Sequence, residues 1–106
     1  MKEKVYYAAR CRVRCPAEHR ASNGGRQFSV LIRTTTKKRV AEIIGTSPRY
    51  LREFCGLHVT DRPEHAAIAV KPDTVYYQVE HTAGGWVNKW FERAETKIWR
   101  PTAGDD

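Results

Sequence analysis

Lys37-Lys38-Arg39-Val40-Ala41-Glu42-Ile43-Ile44-Gly45-Thr46-Ser47-Pro48-Arg49-Tyr50-Leu51-Arg52-Glu53-Phe54 is where the apolar period of the chain changes from two to about 3.6. Val40, Ala41, Ile43 and Ile44 make a stripe that predicts a helix over 37–44, with Thr35 or Thr36 placed to cap its start. Gly45 follows where a positive φ closes a helix. Ser47 and Pro48 open a second helix, as N-cap and first helical residue. Tyr50, Leu51 and Phe54 are expected to form its apolar face, and Gly56 to end it.

Upstream, residues 4–15 alternate as a strand does. Val5, Tyr7, Ala9, Cys11, Val13 and Cys15 are expected on one face, with Tyr6, Ala8, Arg10, Arg12 and Arg14 on the other. Residues 16–25 (PAEHRASNGG) read as a loop, because Pro16 stops a strand and Asn23-Gly24-Gly25 accepts positive φ. Residues 26–34 alternate again, with Phe28, Val30, Ile32 and Thr34 on one face, so the two segments predict an antiparallel hairpin.

Downstream, a short helix is expected from Pro63 to Val70, with Thr60 or Asp61 near its cap and Pro72 beyond its end. Asp73 to Glu80 reads as a strand and Ala83-Gly84-Gly85 as a turn. Residues 86–99 fit two patterns: Trp86, Val87, Trp90, Phe91 and Ala94 share a helical face, while Trp86, Asn88 and Trp90 alternate with Val87, Lys89 and Phe91 as in a strand. Both readings stay open. The expected architecture is a single α+β domain over 1–106, frayed at 1–3 and 100–106. It comprises an N-terminal antiparallel β-hairpin, a helix-turn-helix-like pair, further strands and a Trp-rich C-terminal element.

At 106 residues, 41% hydrophobic and 29% charged, the chain has the length for one core and is too apolar for a disordered tail. No apolar run approaches the roughly 20 residues of a membrane span, so no membrane partner is expected. Met1-Lys2-Glu3-Lys4 lacks the apolar stretch of a signal peptide, and the odd number of cysteines, 3, fits a reducing compartment. A cytoplasmic location in a bacterial host cell is therefore expected. The net charge of +7 is unevenly placed. Residues 1–54 hold thirteen Lys/Arg against four Glu, whereas residues 55–106 hold six against eight Asp/Glu. A basic half joined to a mildly acidic half points to one contact side, facing nucleic acid or an acidic protein.

The run from Val40 to Phe54 resembles the helix-turn-helix segment of bacterial DNA-binding proteins. The likeness is to the mercury-resistance-regulator and excisionase groups, in which Val-Ala-x-x-hydrophobic-Gly-x-Ser-Pro-Arg-x-Leu-Arg is common. Ala41 is small where two helices would cross, while Ile44, Leu51 and Phe54 would bury the pair. The resemblance implies that Ser47, Arg49, Tyr50, Arg52 and Glu53 face DNA. Arg49 and Arg52 would meet guanine edges or phosphates, and Lys37, Lys38 and Arg39 the backbone. It covers about a fifth of the chain, and a β-hairpin stands where such a pair normally has a third helix. Access depends on packing, since only a free-standing pair enters a major groove unobstructed.

A looser resemblance spans more of the chain: two strands, the helix pair, then Lys71-Pro72-Asp73-Thr74-Val75-Tyr76-Tyr77. It is to small uncharacterised proteins of bacteriophages and prophages. It implies a mobile-element origin and opens a second class, the inhibitor that docks on a host defence complex, as anti-CRISPR proteins do.

Three further groups carry possible chemistry. Arg10, Arg12 and Arg14 would sit about 6.7 Å apart along a strand, near a phosphate repeat, or form the charged face of an edge hairpin. Cys11, Cys15, Cys55, His58 and His19 supply zinc-type ligands. However, Cys11 and Cys15 lie about 13 Å apart on an extended strand, so a buried apolar role is the better reading. Tyr76, Tyr77, Trp86, Trp90, Phe91 and Trp99 fill a core or stack on a partner. No phosphate loop, carboxylate pair or nucleophile arrangement stands out. The expectation is a non-enzymatic binding protein with no cofactor and no metal. DNA is the first partner, through Arg10, Arg12, Arg14, Lys37, Lys38, Arg39, Arg49, Tyr50 and Arg52, and a host protein complex is the alternative.

Overall fold

The computed structural model describes residues 2–13, 19, 27–82 and 85–93, the side chains of 81, 82 and 85–88 excepted. The period-two segments form β1 (Lys4–Arg12) and β2 (Gln27–Thr34), paired antiparallel from Lys4↔Thr34 to Arg12↔Gln27. The hairpin is as the alternation predicts, with Phe28, Val30, Ile32 and Thr34 all buried.

The facing of β1 is not as predicted. Ala8 pairs with Val30 but Cys11 with Phe28, so Ala9 and Arg10 together oppose one residue, a β-bulge. Arg10 takes φ 57 at this point. One extra residue exchanges the two faces. Tyr6 and Ala8, not Val5 and Tyr7, therefore share the main core with Cys11 and Val13. Val5 and Tyr7 belong to a smaller cluster on the other face. The supposed ladder of Arg10, Arg12 and Arg14 thus starts inside a bulge, and Arg14 lies outside the described residues.

The helix pair follows its local code. In α1 (Lys37–Ile44) Thr36 caps the Arg39 N–H, and Gly45 at φ 90 lets the Thr46 N–H reach the Ala41 carbonyl at 2.9 Å. In α2 (Pro48–Phe54) the Ser47 side chain accepts from the Tyr50 N–H. Cys55 is the C-cap, and Gly56 at φ 63 turns the chain so that the Leu57 N–H reaches the Leu51 carbonyl at 3.1 Å. Val40, Ala41 and Ile44 of α1 and Leu51 of α2 are buried in the main core. Contrary to expectation, Phe54 is 64% exposed and Tyr50 39%, because only Leu51 of α2 points at the sheet.

The chain then crosses to β3 (His58–Val59), a two-residue strand beside β1 that the sequence reading did not foresee. After it comes α3 (Pro63–Ile68), ending two residues earlier than expected, with Arg62, next to Asp61, as N-cap. The Arg33 guanidinium holds α3 to the sheet from β2, donating to the Ala69 carbonyl at 2.6 Å and the Ala66 carbonyl at 3.2 Å. β4 (Val75–Thr82) starts two residues later than expected, because Asp73 turns at φ 54 and accepts a 2.7 Å bond from the Thr34 hydroxyl. β5 (Gly85–Glu92) takes in Gly85, expected in the turn, and residues 86–92 of the ambiguous segment as a strand, while 94–99 lie outside the described residues.

The strand order is β3-β1-β2-β4-β5, antiparallel throughout, and the fold is α+β. The main core, with α1 and α2, covers one face, while Ile68 and Ala69 at the end of α3 join Val5, Leu31 and Tyr76 on the other. Among the described residues no helix is long and apolar enough to cross a membrane.

Candidate nucleic-acid interface

The basic residues singled out by the sequence fall into three groups. Lys37, Lys38 and Arg39 form the exposed first turn of α1. Arg39 is partly occupied, 3.3 Å from Glu42 and 3.8 Å from Asp73. One helix length away, about 12 Å along the axis, the chain enters α2. Arg49, Arg52 and Glu53 are exposed on α2, and Arg49 bonds Glu53 at 3.2 Å across one turn. Lys37, Lys38 and Arg52 form no ion pair among the described residues. Tyr50 and Phe54 also lie one turn apart, and their rings meet at 5.3 Å on the solvent side.

The third group is joined to the second through the bulge. The Ala9 N–H donates to the Cys55 carbonyl at 2.7 Å, and the Cys55 thiol to the Arg10 carbonyl at 3.8 Å. Exposed Arg10 therefore lies at the C-terminal end of α2, and exposed Arg12 follows it on β1. The helix pair is not free-standing, since the sheet takes the place of a third helix. Its accessible side is the outward surface of α2 together with the first turn of α1.

Among the described residues the sulfur and imidazole groups do not assemble a metal site. Cys11 and Cys55 are buried neighbours, and burial, reinforced by the Cys55 thiol, pushes the Cys11 thiol up and keeps it protonated. His19 Nδ1 lies 2.7 Å from the Tyr77 hydroxyl on the helix face, whereas His58 packs against Tyr7 on the opposite face. Cys15 lies outside the described residues. Among those described, no three His, Cys, Asp or Glu side chains group as metal ligands.

That opposite face carries a concavity, around Tyr7, His58, His65 and Trp90, that the sequence reading missed. Its residues come from five elements spread over more than eighty positions, so no local spacing reveals it. The one sequence signal was the density of aromatic and imidazole side chains at 58–65 and 76–91. Compared with known families, curated proteins and solved structures, the chain has no match.

Proposed function

We propose that this chain is a non-enzymatic protein, of the phage or mobile-element type its sequence resembles, that binds DNA through the α1–α2 surface. The observation that carries this reading is the anchoring of α2 by Leu51 alone. The rest of that short helix, with Arg49, Tyr50 and Arg52, is left outward, and the first turn of α1 adds two exposed lysines. Five Lys/Arg against two Glu over 37–54 make this surface the part of the described molecule best suited to a polyanion. Because the pair is packed on the sheet, contact is dominated by phosphates, and Arg49 and Arg52 reach base edges from the groove rim. The exposed Arg49–Glu53 pair is worth at most about 1 kcal/mol and yields to a phosphate.

The test is fluorescence anisotropy on a labelled random-sequence duplex. Arg49→Ala with Arg52→Ala should weaken binding at least tenfold, on the order of 1.4 kcal/mol. Unchanged affinity in a folded double variant would refute the reading. One observation favours the alternative, an inhibitor that docks on a host protein complex: Tyr50 and Phe54 present a paired aromatic surface of the kind that anchors protein interfaces. A stoichiometric protein partner lost on Phe54→Ala, with no DNA shift, would establish that reading instead.

A further inference from the structure

The cleft between α3 and the sheet has a volume of about 460 Å3, within the range of small-molecule sites. Its rings are set by pairing and packing. Tyr7 of β1 donates its hydroxyl to Ser29 Oγ at 3.0 Å and lies parallel to the His65 imidazole of α3, with centroids 5.5 Å apart and 7° between planes. His58 of β3 packs on Tyr7 at 5.4 Å, and Trp90 of β5 meets His65 edge-on at 6.2 Å.

Polar atoms are interleaved with the rings. His65 Nδ1 is 2.8 Å from the Thr60 hydroxyl. His58 Nδ1 donates to the Gly56 carbonyl at 2.8 Å, which leaves Nε2 as the nitrogen for a ligand. Gln78 of β4, paired with Trp90 across the strands, completes the lining.

Charge then narrows the ligand. At the mouth Arg62 and Glu64 cancel each other at 2.7 Å. Burial, then the neighbouring Arg62 guanidinium, holds the His65 imidazolium below its ordinary range. An ionic ligand finds no uncompensated Lys, Arg, Asp or Glu in the lining, and a purely apolar ring covers His58 Nε2 without giving it a partner, which is costly. A planar, uncharged ring with donors and acceptors along its edge meets both conditions.

We propose that this cleft binds a nucleobase, stacked among Tyr7, His65 and Trp90 and hydrogen-bonded at its edge by His58 Nε2. The base comes from a free nucleoside or from an unstacked position in a single strand. The cleft is on the opposite face from α1 and α2, so the inference does not rest on the duplex-binding reading.

The test is an NMR titration of the folded full chain with adenosine, guanosine, cytidine and uridine in turn, each to its solubility limit or about 10 mM. Single-stranded hexamers follow, with toluene as an apolar-ring control. At least one nucleoside or hexamer should shift the His58, His65 and Trp90 resonances saturably, while toluene does not. A response to nucleosides identifies free ligand as a source, and a response to hexamers alone identifies the strand. His58→Phe, at an exposed position, keeps a ring but removes the edge nitrogen. It and Trp90→Leu should each weaken binding about tenfold, the scale of one edge bond or one stacking partner. Arg49→Ala with Arg52→Ala should leave nucleoside binding unchanged. The proposal is overturned if no probe shifts these resonances, if toluene binds as well, or if the cleft variants bind as the native chain does.

Discussion

Salt is the sharpest perturbation of the α1–α2 surface, because each phosphate neutralised by a cation releases counterions. Three cations there, Lys37, Lys38 and Arg52, form no ion pair among the described residues. Arg39 and Arg49 must first leave Glu42, Asp73 and Glu53. With about 0.9 counterions per contact, three contacts give a log–log slope near −2.7, and all five give about −4.5. Between 50 and 200 mM salt the duplex affinity should therefore fall roughly 40-fold in the first case and 500-fold in the second. If Arg10 and Arg12 also reach the duplex across the bulge, the slope steepens to about −6.3.

The assay is anisotropy with one labelled duplex over a salt series, for the native chain and for the Lys37→Gln, Lys38→Gln, Arg52→Gln variant. All three side chains are exposed, so the variant should keep its thermal midpoint and lose about 2.7 from the magnitude of the slope. A flat native slope, or a triple variant with the native slope, would show that DNA does not contact this surface.

Three further outcomes follow from the packing. Leu51→Ala removes the single buried anchor of α2 and should cost about 2–5 kcal/mol, lowering the thermal midpoint by roughly 10–20 °C by calorimetry, with duplex affinity falling alongside. At Arg10, held at φ 57, Arg10→Asn should be neutral and Arg10→Val should cost about 1 kcal/mol or more in urea unfolding; equal effects would argue against the bulge. For His65 the folded value lies below the unfolded value of 6.5, so the unfolded chain takes up the proton first as pH falls. That contribution to stability is present above pH 6.5 and lost below it, and His65→Gln should remove this part of a melting-temperature profile.

What was legible in the sequence was local. Thr36, Gly45 and Ser47 specify helix ends through bonds to residues three or four positions away, Pro48 through its fixed φ, and the structure places them as their chemistry dictates. Phe28, Val30 and Ile32 alternate without interruption, so their facing was readable too. The bulge was not. It is held by Cys55, forty-five residues from Arg10, and nothing near Ala9 marks the place where the parity changes. β3 escaped notice for a related reason: two residues carry no period, and His58 and Val59 become a strand only because Tyr6 and Tyr7 offer a free edge. Phe54 was misjudged because helical spacing alone cannot show that a two-turn helix touches the sheet at one point.

The same non-local assembly reshapes the charge argument. The basic half of the chain supplies β1, β2, α1 and α2; the acidic half supplies α3 and the strands β3, β4 and β5 on either side of the hairpin. The halves are interleaved in the sheet, so the asymmetry along the sequence does not become two ends of a molecule. It becomes a difference between faces. Residues 37–54 on one face carry five Lys/Arg against two Glu, whereas residues 55–72, leading through β3 and α3 on the other, carry two against two. A polyanion is attracted to the first face and gains little from the second. A neutral ring is indifferent to the first and finds stacking partners in the second. Tyr6 and Tyr7, adjacent in β1, belong to these opposite faces, and that alternation lets one strand of a small domain support both.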